Sequence, residues 1–288
     1  EGLVSWISAR AETRLLGTPS AVLEAFGVPV PLRALKRPLP EAEAQDALDQ
    51  AAFSRSDPTL RESWRALDDA AVRANTYSRP ALLLESVART TGEKPFLAAV
   101  KEYVRRFSFR HPSTADFLAV VGEVAGPGAR DLLERGWASA GAVDYAVTRA
   151  ATTRVAPVAG YLGDGPNRTW HAPAEAGKTW ESTVVVQRLG EVAWPVEVEI
   201  RFEGGQTVTR RWDGRAEWNR WQFTGPRLVS VVVDPKRTCL LDVNRLNDGL
   251  RTEPEPTAAR AWSHRLRFLA QNLLELFALL ATLPGVAP

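Results

Sequence analysis

Methionine is missing altogether from these 288 residues, cysteine occurs once and histidine three times. With no methionine, a chain opening Glu1-Gly2-Leu3 reads as a piece cut from a longer polypeptide. The lone Cys239 excludes an internal disulfide, and its place in the apolar run 229–241 predicts a buried small hydrophobe. His111, His171 and His264 stand far apart, and none has a second histidine at helical i, i+4 spacing. An HExxH helix is therefore absent, and the chain alone offers no obvious zinc site. Charge of one sign is lacking too. The 36 basic and 34 acidic residues leave a net charge of +2, without the broad basic field that nucleic acid requires. No charged-then-apolar leader opens the chain, and the compartment is not legible.

What is present changes character near residue 142. Before it the apolar spacing is helical. Leu3, Ile7, Ala11 and Leu15 fall on one stripe, with Gly17 and Pro19 as a stop. Residues 28–40 carry four prolines and predict an extended connector. Residues 41–53 and 60–74 read as polar, alanine-rich helices. Pro80 suits the first turn of a helix running through Leu82, Leu83 and Val87 to Gly92. A further helix starts at Pro95, with Phe96, Val100, Tyr103 and Val104 inward. Ser113-Thr114-Ala115-Asp116 resembles a capping box ahead of Phe117, Val120 and Val121, and 129–138 form one more short helix.

From Val143 the pattern alternates. Segments 184–186, 192–202, 207–212, 217–223 and 228–233 predict strands, with hairpin signals at Gly204-Gly205 and Asp213-Gly214. The glycine- and proline-rich stretch 156–178 reads as a long connection or irregular edge. Asp234, Asp242, Asn244, Asn247 and Asp248 lack the spacing of a calcium loop and read as turn residues. After Pro254 and Pro256, apolar residues recur at Trp262, Leu266, Leu269, Leu273, Leu276 and Leu280, which predicts an amphipathic helix. Its polar residues are too frequent for a membrane span. The expected class is α+β and multidomain. A helical lobe (1–141) precedes a small antiparallel β-sandwich (142–252) and a C-terminal amphipathic helix (253–288).

Several segments, in order, resemble one known family. Glu1-Gly2-Leu3 opens a helix, and Tyr77-Ser78-Arg79-Pro80 opens another. Gly92 to Tyr103, Phe109 to Phe117, Trp137 and Asp144 to Val147 follow in family order. Together they resemble the C-terminal half of the M1 zinc aminopeptidases, which are gluzincins. The resemblance implies a thermolysin-like C-terminal subdomain for the helical lobe. It also implies that Glu1 is the third zinc ligand and Tyr77 the catalytic tyrosine of an intact parent. The family segment Tyr-x-Lys-Gly is here Tyr77-Ser78-Arg79-Pro80, so glycine is replaced by proline.

In such a parent, zinc would be held by two histidines from the absent segment together with Glu1. A tyrosine O–H would stabilise the oxyanion of the tetrahedral intermediate. The parent would hydrolyse N-terminal peptide bonds of a peptide substrate. The N-terminal half of the same protein would be this chain's natural partner. This chain alone is expected to be inactive and to bind no zinc. A different reading makes the same scaffold a non-catalytic peptide- or protein-binding module. A membrane contact through the C-terminal helix is a weaker expectation. Without the resemblance, Glu1 reads as an acidic residue at a helix N-terminus and Tyr77 as a partly buried structural tyrosine. Arg79 reads either as support for that tyrosine or as a solvent-facing charge. Lys101, Arg105 and Arg106 read as a solvated helix face.

Overall fold

The computed structural model describes residues 1–16, 22–25, 28–31, 41–65, 69–138, 140–155, 159–172 and 179–282. It combines helices with antiparallel sheets and a C-terminal helix, compatible with an α+β class. Two compact units emerge, Glu1–Leu250 and Arg251–Pro288.

In the first unit the helices come first. Helix α1 (Gly2–Leu16) precedes a short hairpin of β1 (Val22–Ala25) and β2 (Val28–Pro31). Then follow α2 (Glu41–Phe53), α3 (Asp69–Arg73), a π turn over Ala74–Ser78 and α4 (Arg79–Thr91). Helices α5 (Glu93–Phe107), α6 (Thr114–Val124) and α7 (Pro127–Ala138) complete the lobe. The stop at Gly17 and Pro19 and the proline-rich 32–40 lie outside the described residues, as do 156–158 and 173–178 of the predicted long connection.

Helix α4 is the centre of this lobe. Leu82, Leu83, Leu84, Val87 and Ala88 are all buried, so most of its circumference faces the core, while Glu85 and Arg89 form its one polar edge. Helix α5 begins after Gly92, whose φ of 110° ends α4. The Ser113 hydroxyl accepts from the Asp116 N–H, and the Asp116 carboxylate accepts from the Ser113 N–H, which closes a capping box on α6.

Two expectations for the helices are corrected. Residues 60–74 do not form one helix. The described part holds turns, a 3-10 turn at Ser63–Arg65 and the short α3. The buried face of α1 is also not the Leu3-Ile7-Ala11-Leu15 stripe, because Ile7 and Leu15 are exposed. Trp6 takes the core position instead. It packs edge-on against Phe96 at 5.5 Å and donates its indole N–H to Glu85 at 2.8 Å. An indole buries more apolar area than a leucine, so the helix rotates to seat it.

The strands of the first unit follow: β3 (Tyr145–Arg154), β4 (Gly160–Leu162), β5 (Thr169–His171), β6 (Trp180–Arg188), β7 (Val196–Phe202), β8 (Thr207–Trp212), β9 (Trp218–Gly225), β10 (Leu228–Val233) and β11, which starts at Gly249. They form a three-stranded sheet in the order β3-β6-β9 and a four-stranded one in the order β11-β10-β7-β8. A separate β4-β5 hairpin lies within the predicted long connection. Strand β7 shows the alternation directly: Val196, Val198, Ile200 and Phe202 are buried, while Glu197 pairs with Lys236 at 2.8 Å. Val184 and Val186 of β6 join Val198 and Ile200 of β7 in one apolar core that continues through Leu83 and Leu133 of the helices.

Strand β7 begins at Val196, later than the expected 192. The reason is Tyr145. Its buried O–H donates to the Trp194 carbonyl at 2.6 Å and accepts from the Trp194 N–H at 2.9 Å. Both backbone groups that a strand would use are thus engaged by one phenol. Burial pushes that phenol's pKa up. The turn at Asp213-Gly214 is not a hairpin, because it carries the chain from β8 in one sheet to β9 in the other. A side chain at Gly214 would place its Cβ 2.0 Å from the Tyr145 hydroxyl, and φ there is 71°, so glycine is required.

The acidic turn residues serve the loop after β10. Asp234 accepts from the Thr238 and Cys239 N–H groups, and Asp242 from those of Tyr145 and Asn244. Cys239 is buried. Asp248 is buried beside this network, 3.6 Å from Arg245. Burial first, and the Asp242 charge second, push its pKa from 3.8 up to about 8.

The second unit contains α8 (Thr257–Thr282). Trp262, Leu266, Leu269, Leu273 and Leu276 recur along it at helical spacing, and the side chain of Leu280 lies outside the described residues. Among the described residues no helix is long and apolar enough to cross a membrane.

The raised pKa of Asp248 sets a pH dependence of stability. Above 3.8 the unfolded chain releases a proton that the folded chain keeps, so stability falls as pH rises until Asp248 ionises in the fold near about 8. Asp248→Asn mimics the protonated form. It should flatten urea-denaturation stability between about pH 5 and about pH 8, removing a decline on the order of 4 kcal/mol.

Candidate functional site

The segment carrying Tyr77 is one continuous helical run from Asp69 to Thr91, interrupted by the π turn at Ala74–Ser78. Proline explains the interruption. Pro80 has no N–H to donate to the carbonyl four residues back, and its ring needs room against that Thr76 carbonyl. The run relaxes by one residue. The Arg79 N–H reaches back five positions to the Ala74 carbonyl, while the flanking residues Arg73 and Arg79 keep ordinary helical dihedrals. The added residue re-aims every side chain in the turn. Asn75, Ser78 and Arg79 point inward and are buried, while Tyr77 is 41% exposed.

Arg79 does not face solvent. Its Nη1 donates to the Ser54 carbonyl at 2.7 Å and its Nη2 to the Gly141 carbonyl at 2.9 Å. Gly141 in turn donates its N–H to the Ser54 carbonyl at 2.8 Å. The guanidinium therefore joins the end of α2 to the approach to β3. Burial lowers its pKa to about 10, so it keeps its charge at neutral pH.

Helix α1 meets the π turn at Gly2. A Cβ there would lie 2.4 Å from the Pro80 Cβ and 3.4 Å from the Thr76 carbonyl oxygen, so only glycine allows this approach. That contact sets Glu1 at the edge of a cleft of about 420 Å³. Glu1 is exposed, and its backbone carbonyl accepts from the Ser5 N–H at 3.0 Å. Asn75 and Thr59 line the cleft with an aromatic wall of Tyr103, Phe117 and Trp137. In that wall Tyr103 and Phe117 stack edge to face at 4.9 Å, and Phe117 and Trp137 lie 5.7 Å apart. Burial, and then the charge of Asp116, raise the Tyr103 phenol pKa. The Tyr77 side chain is not among the described residues that line this cleft.

Two residues absent from the sequence reading stand out here. Both side-chain polar atoms of Asn75 are buried with no hydrogen-bond partner among the described residues, and so is the Thr59 hydroxyl. A mid-helix asparagine is a poor helix former and was the one signal available in the sequence. A second groove, of about 990 Å³, runs beside α1, α4 and α5. It is lined by Trp6, Leu97 and Val104 and by the ion network of Arg10, Glu85, Arg89 and Glu93. Burial alone would raise the Glu85 carboxyl, but the Trp6 and Arg89 hydrogen bonds and the Arg10 and Arg89 charges hold it below its usual value.

The remaining sequence candidates are dispersed. His111 sits in the exposed loop before α6, His171 on β5 and His264 on α8. Arg105 and Arg106 hold Glu102, and Arg106 also holds Glu123, all at 2.7 Å. Among the described residues no three His, Cys, Asp or Glu side chains converge as a metal-ligand set. The described residues thus do not make a zinc site by themselves.

Comparison with known proteins adds little. No family model matches the sequence, and no curated protein matches it. Among solved structures the chain is similar to Legionella pneumophila aminopeptidase A in complex with aspartic acid, at 15% identity and a TM-score of 0.44. The match covers 84% of this chain and 23% of that one, so this chain spans less than a quarter of that protein's length. A likeness this loose carries no argument about activity.

The Gly2 contact is open to direct measurement. Gly2→Ala should destabilise the chain by about 1–3 kcal/mol in urea denaturation, against the gain in helix propensity, because the new methyl overlaps Pro80. In a Pro80→Gly background the same change should cost less by about 1 kcal/mol or more, the coupling expected of touching residues.

Proposed function

We propose that this chain is the C-terminal part of a zinc-dependent M1-like aminopeptidase that hydrolyses N-terminal peptide bonds. In this reading the helical lobe is the thermolysin-like C-terminal subdomain, and the two sheets are the β-sandwich that follows it. Glu1 furnishes one zinc ligand of the parent, and two histidines and the general base come from an HExxH segment in the N-terminal half. Tyr77 donates a hydrogen bond to the oxyanion. What carries the reading is the close approach of Gly2 to Pro80 and Thr76, which brings the Glu1 end of α1 against the turn that bears Tyr77.

This chain's own contribution is positional. The π turn sets the direction of Tyr77, and the Arg79 clamp fixes that turn against Ser54 and Gly141. A donor aimed at charge that develops only in the transition state accelerates the chemical step without tightening substrate binding. The Gly-to-Pro replacement at Pro80 keeps this role, because the π turn absorbs the proline. A second reading, a non-catalytic peptide-binding module, draws support from the cleft itself, which opens beside Tyr103, Phe117 and Trp137.

The test uses the longer protein, from an upstream HExxH through residue 288. Tyr77→Phe should lower kcat on an aminoacyl-anilide by about 100- to 1000-fold with zinc content unchanged by elemental analysis. An unchanged kcat removes Tyr77 from the mechanism, and an upstream sequence without HExxH favours the binding module. Residues 1–288 alone should show no turnover.

A further inference from the structure

We infer that α8 is an interfacial helix that lies along an anionic lipid surface, with its apolar face among the acyl chains and its arginines at the headgroups. The inference stands apart from the proposed function, because it uses no residue of the first unit.

The helix has two faces. At about 100° per residue, an arc of about 160° runs from Leu276 to Leu274 and holds Trp262, Leu266, Leu269 and Leu273. Ser263 is the one polar residue within that arc. Its large apolar side chains are exposed. Of the exposed large apolar residues of α8, only Phe268 and Leu279 fall outside it. Within Arg251–Pro288, α8 is the only helix among the described residues, so its own unit holds no second helix to cover this face.

Charge names the partner. The helix carries Arg260, Arg265 and Arg267 against a single acid, Glu275. Arg265 and Arg267 each lie about 20° beyond one edge of the apolar arc, so each can keep its stem on lipid and its guanidinium among phosphates. The Arg265 guanidinium lies 5.6 Å from the centroid of the Trp262 ring, so cation and indole share one level. Glu275 sits about 180° from Leu266, and thus points away from a surface that the apolar arc enters. Basic residues on one face and Trp, Phe and Leu on the other are the pattern of a helix lying in the interface plane. The helix is not long and apolar enough to cross.

A second copy of the chain fits this face less well. Residues 262, 266, 269, 273 and 276 also have the spacing of a coiled-coil seam, but a two-stranded seam is narrower than this arc and would leave Leu274 in water. The positions flanking that seam, Ser263, Arg265, Ala270, Asn272, Phe277 and Leu279, hold no acid to pair with Arg265.

The test is flotation of the 288-residue chain with phosphatidylcholine vesicles containing about 30% phosphatidylglycerol, against phosphatidylcholine alone. Binding to the anionic vesicles should be about 10-fold tighter or more, and should weaken as salt rises from about 0.1 M to about 0.5 M. No flotation with anionic vesicles overturns the inference, and so does equal binding to both. Leu269→Glu together with Leu273→Glu should abolish binding, and retained binding overturns the inference. Replacing Arg260, Arg265 and Arg267 by Gln should weaken binding about 10-fold or more, and unchanged affinity also overturns it. Glu275→Gln should bind no more weakly than the unaltered chain. Should the glutamate pair fail to fold, the arginine variant and the two vesicle types decide. A dimer in sedimentation velocity that Leu269→Glu dissociates, without flotation, gives the face to a second copy and overturns the lipid assignment.

Discussion

The buried guanidinium of Arg79 is the constraint on which the first unit depends. One planar cation takes up the Ser54 carbonyl at the end of α2 and the Gly141 carbonyl ahead of β3. Those carbonyls lie 25 and 62 positions away along the chain, so a single side chain joins three distant stretches. A buried charge is costly, and the two carbonyls that take up its Nη1 and Nη2 donors hold the stretches they belong to in place. Around this point other ties link the helices to the sheets. The Ser86 hydroxyl accepts from the Leu240 N–H at 2.9 Å, Gln50 donates to the Leu241 carbonyl at 3.2 Å, and Trp194 donates to Thr90 at 3.2 Å. The helical lobe and the sheets are therefore welded by polar contacts as well as by shared apolar packing.

The π turn translates this rigidity into a site. A proline within a continuous helical run costs a hydrogen bond and a steric clash, and the chain meets both by admitting one additional residue. The result is a turn with two opposed sides: a partly exposed phenol at Tyr77 on one and a sunken amide at Asn75 on the other. Gly2 lets α1 lie close enough for a carboxylate to border the same cleft. Each of these placements follows from a residue whose shape is unusual for its position, namely a glycine under a ring, a proline within a helix and an asparagine among leucines.

Much of this architecture was legible in the sequence, for identifiable reasons. The α6 capping box, the end of α4 at Gly92 and the alternation in β7 are local patterns, and local patterns survive folding. What stayed hidden is tertiary. The face that α1 buries is chosen by Trp6 against Phe96, not by the apolar stripe. The start of β7 is delayed by a phenol contributed from β3. The inward course of Arg79 could not be separated from a solvent-facing one without coordinates, because spacing says nothing about carbonyls left by remote turns. The π turn was likewise invisible, since helical periodicity assumes a uniform rise, and the mid-helix asparagine at 75 marked the place without its burial. The Glu1 and Tyr77 roles come from resemblance alone.

An additional residue inside a helix is also a record of how its surroundings are indexed. A π turn takes up its added residue while the flanking helices keep nearly their original phase, so deleting one position between 74 and 78 would restore ordinary winding and leave Leu83 and Val87 close to their present directions. The proline would then sit in an ordinary turn, its ring against the carbonyl four residues back with no widened turn to relieve it. A shortened sequence would thus keep the phase of α4 and lose the room that its proline needs.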